Sequence, residues 1–255
     1  MMILYHIFYL GNYINGNYIM TLRIPMIAID GPSASGKGTV CRELSKILNW
    51  NILDSGAIYR ILTLLAVQNN LTIESEELSV KSERLLLQIA NTIKVSFIYK
   101  HNGINILLDG KDITKKIYSP DISNKTSRLS SLPSIRNALL QKQRSFLHFP
   151  GLVADGRDMG TIVFPDAPVK IFLYANIEER TYRRMLQLHN NGFNVNFSSL
   201  LEELKERDNR DRNRSISPLL PAKDALLIDS TNISINQVIY KVLKYTRQKL
   251  GDQIK

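Results

Sequence analysis

The chain has 255 residues, 44% hydrophobic and 22% charged, which suits one α/β domain carrying insertions and excludes wholesale disorder or a fibrous repeat. Its one cysteine, Cys41, rules out an intramolecular disulfide, and no Cys/His cluster has zinc spacing, so a reducing, cytoplasmic setting is expected. The net charge of +10 would suit a polyanion, yet residues 178–214 set eight basic against seven acidic side chains, and the surplus sits at 81–148 with 12 basic and 4 acidic, a pattern of placed charges rather than general attraction.

Residues 2–10 are apolar but too short to cross a bilayer, follow no Lys or Arg, and end at Gly11 and Asn12, so neither a span nor a secretory signal is expected. Residues 1–23 read as a loosely packed extension, with Met20 and Met26 as alternative starts, ahead of a single domain over 24–255. Residues 24–29 read as a buried strand and 39–48 as a helix. Ile52-Leu53 followed by a helical 58–67 repeats the order, which predicts a parallel sheet. Between about 85 and 122 the pattern changes: 93–99 alternates, His101-Asn102-Gly103 and Asp109-Gly110 read as turns, and 104–108 is apolar, which predicts an antiparallel insertion. Residues 152–154 and Val169–Tyr174 read as two more buried strands. Capping-box spacing at Asn176/Glu179, Ser199/Glu202 and Ser234/Gln237 marks three helix starts. The last opens an amphipathic helix with Val238, Val242 and Tyr245 on one side. Trp50 reads as core, and His6, His101, His148 and His189 are too scattered for a catalytic imidazole or a metal site.

Gly31-Pro32-Ser33-Ala34-Ser35-Gly36-Lys37-Gly38-Thr39 lies between a strand and a helix, the context of a phosphate-binding P-loop. Its glycines let successive N–H groups turn to one point, the helix N-terminus adds positive potential, and Lys37 supplies an ammonium for the outer phosphates. Gly38 separates Lys37 from Thr39, where the general pattern has Ser or Thr directly after Lys. Asn124-Lys125-Thr126-Ser127 lacks the Asp of a guanine-reading motif. Asp155-Gly156-Arg157-Asp158 ends a strand, where crevices open in parallel sheets. On a helix, Arg207, Arg210, Asp211 and Arg214 share a face about 100° wide, and Arg180, Arg183 and Arg184 share another. A solvated face stitched by i,i+4 ion pairs is the alternative for the first, and an exposed helix with Glu178 and Glu179 placed near its start for dipole reasons is the alternative for the second. Lys111, Lys115 and Lys116 read as solvated surface, and no basic stretch is interleaved with aromatics as nucleic-acid binding would favour.

The Gly-Lys-Gly-Thr ending, with Leu53-Asp54-Ser55-Gly56-Ala57-Ile58-Tyr59-Arg60, Ala154-Asp155-Gly156-Arg157-Asp158-Met159-Gly160-Thr161 and the Arg/Asp-rich 206–214, resembles the bacterial cytidylate kinases, P-loop nucleoside monophosphate kinases, from about residue 24 onward. The resemblance implies a P-loop NTPase fold: a parallel sheet flanked by helices, with an antiparallel β insertion on the acceptor side (about 85–122) and a helical lid (about 178–214). It implies a cytoplasmic monomer that moves the γ-phosphoryl of ATP, with Mg²⁺, onto CMP or dCMP, acting on small molecules rather than nucleic acid or membrane. By the same resemblance the loop residues Gly31, Pro32, Ser33, Ala34, Ser35, Gly36, Lys37, Gly38 and Thr39 hold the donor, and Lys37, Arg157, Arg207 and Arg214 are catalytic. Arg157 and Arg214 would meet the acceptor phosphate, Arg207 and Asp211 the ribose, Ser127, Arg136 and Asp158 the base, with Ser55 facing the acceptor and Thr39 and Asp155 near the metal. A kinase for another small acceptor, and a P-loop switch acting on nucleic acid, are the alternative readings.

Overall fold

The computed structural model describes residues 9–14, 17–22, 24–71, 73, 79–100 and 103–251. Within the stretch read as an extension, β1 (Tyr9–Ile14) and β2 (Asn17–Leu22) pair antiparallel, Tyr9 opposite Leu22. Their tyrosines and isoleucines have the residue preference of strands. His6 and the turn positions His101 and Asn102 lie outside the described residues.

The core begins with β3 (Met26–Asp30), all five residues buried. It continues through α1 (Lys37–Leu48), β4 (Asn51–Asp54) and α2 (Ser55–Gln68). After α3 (Val80–Thr92), the strands β5 (Val95–Lys100), β6 (Gly103–Leu108) and β7 (Lys111–Asp112) form an antiparallel sheet. Three helices follow, α4 (Thr114–Ile117), α5 (Pro120–Leu129) and α6 (Pro133–Arg144). The chain returns to the core as β8 (Leu152–Asp155) and, after a π-helical turn at Met159–Val163, as β9 (Val169–Tyr174). It ends with α7 (Ile177–Asn190), α8 (Phe197–Asn213), β10 (Leu226–Asp229) and α9 (Ile235–Leu250).

The main sheet has the order β10-β9-β3-β8-β4 and is parallel throughout. Strand alternation divides its core: Ile27 and Ile29 pack with Val40, Leu44 and Val242 under α1 and α9, while Ala28 packs with Leu62, Leu86 and Leu139 on the other face. The insertion's β-sheet sends Ile106 into a third cluster with Ala57 and Ile61 of α2, so it rests on the helix that follows β4. The expected α/β architecture, with its small antiparallel sheet, is the observed one. Trp50 is buried in the core, as read.

Helix starts show where local signals hold. Asn176 caps α7 through the Glu179 N–H at 2.8 Å. Ser234 and Gln237 form a reciprocal box on α9. The start expected at Ser199 is displaced: Asn196 caps α8, accepting from the N–H of Ser198 at 2.8 Å and of Ser199 at 3.2 Å, which puts Ser199 inside the first turn. The nearer amide side chain outcompetes the serine because it reaches two backbone donors at once.

Candidate active site

Three adjacent strands, β3, β8 and β4, end in Asp30, Asp155 and Asp54, with Asp54 opposite Asp155 and Asp155 opposite Ile29 in register. A cavity of about 920 Å³ opens above these carboxyl ends, where parallel sheets place their ligands.

The loop from Gly31 to Thr39 forms one wall. Gly31 has φ +146°, and a Cβ there would lie 1.9 Å from the Leu173 carbonyl oxygen, so only glycine lets the loop leave β3 in this direction. Gly36, at φ +94°, precedes α1, whose N-terminus no side chain caps. Lys37 is buried and folds back to donate to the Pro32 carbonyl at 2.7 Å. Burial, and next the Arg157 charge, hold its ammonium well below the ordinary range. Ser33, Ala34, Gly36, Lys37, Gly38 and Thr39 line the cavity, whereas Gly31, Pro32 and Ser35 do not. Thr39 Oγ1 accepts from Arg42 at 3.0 Å.

The opposite wall is cationic. Arg157 reaches both sides, donating through Nε to Asp211 at 2.9 Å and through Nη2 to Ser33 Oγ at 2.9 Å. Burial, and then Arg157, pull Arg207 down to about 9; burial, and then Arg60, pull Arg184 down to about 10. Burial alone would raise Asp211, but Arg157, Arg207 and Arg214 reverse this and hold it low. The Nε groups of Arg60, Arg136 and Arg207 and the Nη2 of Arg214 are buried with no hydrogen-bond partner. Crowded guanidiniums with unanswered N–H groups, all belonging to residues that line one cavity, give that wall the chemistry of an anion site.

Beneath that wall, Arg136 and Asp158 form a buried ion pair, and the Arg136 guanidinium lies 5.4 Å from the Tyr59 ring centre. Arg136 also donates to the Ser130 carbonyl at 3.0 Å. Ser55 lines the cavity and donates to Gln143 at 2.7 Å.

Most of the expected residues therefore meet. Ser127 does not line the cavity: it is buried and accepts from Arg210 Nε at 3.2 Å. That bond turns Arg210 away, so of the four-residue face Arg207, Asp211 and Arg214 reach the cavity, Arg214 as the C-cap residue of α8. Arg180, read with the lid's inner face, is a buried clamp that pairs with Asp208 of α8 at 3.1 Å and donates to the Ser33 carbonyl at 3.2 Å. The sequence reading missed Asp30, Tyr59, Arg60, Tyr118 and Gln143. Asp54 has a local signal, since it stands directly before α2 and caps it.

The donor set suits a hard cation held largely by phosphate and water. Among the described residues no three His, Cys, Asp or Glu side chains gather to hold a metal, whereas Thr39 and Asp155 both line the cavity beside Lys37. Burial raises Asp155, with the Lys37 charge opposing it, so a second cation would favour its ionised form. Among the described residues no helix is long and apolar enough to cross a membrane.

A P-loop and an arginine wall facing each other across the carboxyl edge of a helix-flanked parallel sheet define a P-loop kinase. The family model described as cytidylate kinase matches residues 27–248. Cytidylate kinases of Enterobacter sp. (strain 638) and Salmonella newport (strain SL254) are each 52% identical over 232 residues, covering 91% of this chain and 99% of theirs. A solved shikimate kinase from Acinetobacter baumannii aligns over 91% of this chain and 96% of its own at 18% identity and a TM-score of 0.38. The chain belongs to the cytidylate kinase family.

Proposed function

We propose that the chain transfers the γ-phosphoryl of ATP to CMP or dCMP, giving ADP and CDP or dCDP, as a single small-molecule kinase domain over 24–255 that works as a cytoplasmic monomer. The observation that carries this reading is the set of unpartnered guanidinium N–H groups across one cavity from Lys37. A loop alone would describe a nucleotide binder; an anion wall opposite it supplies the place for an acceptor phosphate.

Lys37 and the loop amides hold the donor's outer phosphates, and the Lys37 ammonium regains its full charge beside them. Arg157 and Arg214 orient the acceptor phosphate, Arg207 and Asp211 sit at the ribose, and the three guanidiniums together meet the charge that spreads over the moving phosphoryl group. The preformed Arg157 bonds to Ser33 and Asp211 fix that guanidinium between donor loop and acceptor wall, so alignment is settled before binding. Arg136 and Asp158 read the base, one offering donors and the other acceptors. A divalent cation, Mg²⁺ in this reading, would neutralise donor oxygens when bound, and Thr39 and Asp155 are the residues that would hold it. Arg183 and Arg184 of α7 line the same cavity, and α7 with α8 would close over it to exclude water.

The test is a coupled assay of ADP release with CMP, dCMP, UMP and AMP in turn. Turnover with the two cytosine nucleotides well above the others is the expected result. No ADP release with CMP overturns the reading.

A further inference from the structure

We propose that Tyr118, where the insertion ends, is a positioning residue that aims Arg60 at the acceptor phosphate; this deepens the reading above and rests on it. Tyr118 belongs to none of the sequence motifs. It follows α4, and its hydroxyl donates to Asp54 Oδ2 at 2.9 Å. Asp54 is itself immobilised, because its other oxygen accepts the Ala57 N–H at 2.9 Å as the cap of α2. The Tyr118 ring is thus held against the end of β4, and over its face, 5.0 Å from the centroid, lies the Arg60 guanidinium.

That contact decides where Arg60 points. A guanidinium stacked on a ring keeps its in-plane N–H groups free, which is the geometry that meets a phosphate. Arg60 lines the main cavity, and its Nε is buried without a partner, so the side chain is held by the ring and not by a competing hydrogen bond at Nε. Gly56 clears the space: a Cβ there would stand 3.1 Å from Arg60 Nη1 and 3.2 Å from Asp54 Oδ1. Across the cavity Arg184 feels the Arg60 charge strongly enough to be pulled down by it, after burial. A dianion bound between the two would offset the cost that Arg60 imposes on the Arg184 charge. The insertion therefore contributes to the acceptor site from outside it: Tyr118 restricts Arg60 before binding, and less freedom is lost when the phosphate arrives.

The test is a double-mutant cycle on the full chain, with KM for CMP, KM for ATP and kcat measured for Tyr118→Phe, Tyr118→Met and Tyr118→Leu in the wild-type and Arg60→Ala backgrounds. Thermal unfolding identifies which of the Met and Leu variants is folded at the assay temperature. Loss of the ring should raise the CMP KM roughly fivefold to thirtyfold, with the ATP KM unchanged, and Tyr118→Phe, which keeps the ring but loses the Asp54 bond, should fall between the wild type and the ringless variants. With Arg60 already removed, losing the ring should have almost no further effect on the CMP KM. The same factor in both backgrounds, or an equal rise in the ATP KM, means that Tyr118 only supports the fold and overturns the proposal. A wild-type protein that releases no ADP with CMP removes the functional reading and this inference together; normal wild-type turnover with additive variants removes the inference alone.

Discussion

Asp30 and Gly160 stand 130 positions apart, and the Asp30 carboxylate joins them, accepting the Gly160 N–H at 2.8 Å through one oxygen and the Met159 N–H at 2.7 Å through the other. Asp30 is the last residue of β3, directly before the P-loop. Met159 directly follows the Arg157-Asp158 pair. One buried carboxylate therefore ties the donor loop to the acceptor turn.

Replacing Asp30 by Asn should test this tie through its pH dependence. Burial lifts Asp30 to about 7, against the two N–H bonds and Lys37, which lower it. A carboxyl whose folded value lies above its unfolded value of 3.8 favours the folded state fully at acid pH, and that contribution is lost as pH rises towards about 7. The wild type's stability advantage over Asp30→Asn should therefore shrink between about pH 4 and pH 7, by about 4 kcal/mol at most. Urea midpoints at several pH values measure it, and an advantage that grows with pH would contradict the buried, raised carboxyl.

Arg157→Lys should damage use of the acceptor despite keeping the charge. A single ammonium cannot reproduce the fork that reaches Ser33 and Asp211 at once. Losing one buried, charge-assisted bond and leaving Asp211 less compensated should cost about 2–4 kcal/mol in kcat/KM for CMP, roughly a thirtyfold to thousandfold loss, with ATP binding nearly intact. Steady-state kinetics with each substrate varied in turn will separate the two. Wild-type values with lysine would mean that Arg157 supplies charge without direction.

Arg136 and Asp158 are buried at 6% and 3% side-chain exposure, so any single substitution here acts on stability as well as on recognition. Arg136→Ala leaves Asp158 uncompensated and should lower unfolding free energy by about 3–5 kcal/mol. Arg136→Met with Asp158→Asn fills the volume and removes both charges, and should restore much of that stability while the preference for CMP over UMP and AMP stays eroded. A double variant that keeps the wild-type preference would take base reading away from this pair.

How far the sequence discloses this molecule depends on how local each feature is. β3 is visible because Met26, Ile27, Ala28 and Ile29 make an uninterrupted apolar run ahead of Asp30, and the P-loop because its chemistry is backbone geometry written in Gly31, Gly36 and Gly38 around Lys37. α5 left only a thin apolar stripe to read: with Ile122 and Leu129 it buries Ser123, Thr126 and Ser127, and Thr126 meets Thr63 of α2 through a hydroxyl bond at 3.0 Å. Its only plain signal is Ser119 ahead of Pro120, a cap followed by a first-turn proline. In α6, Arg136 and Gln143 share the buried face with Ile135 and Leu139, which blurs the period in the same way. Arg60 and Gln143 matter for what lies across from them, Tyr118 and Ser55, and no spacing along the chain encodes that. Ser127 shows the converse, a residue marked by resemblance whose hydroxyl the fold gives to Arg210.

Lys37 gives the sharpest check on the donor side, because its charge depends on what lies beside it. Burial and Arg157 depress its ammonium below the ordinary value of 10.5. A bound polyphosphate reverses the balance, so the bound value lies above the free one and nucleotide binding takes up a proton at any pH between them. Affinity for ATP should be greatest below the depressed value and fall as pH rises through the window, by at most about tenfold per pH unit. Calorimetry at mildly alkaline pH in two buffers of different ionisation heat reads the uptake directly. Lys37→Ala should abolish it and lower turnover by about a hundredfold or more, the scale of losing one preorganised cation at a phosphoryl-transfer site. Identical binding heats in the two buffers for the wild type would mean that Lys37 is already fully charged in the empty site, and that the curl towards the Pro32 carbonyl costs it nothing.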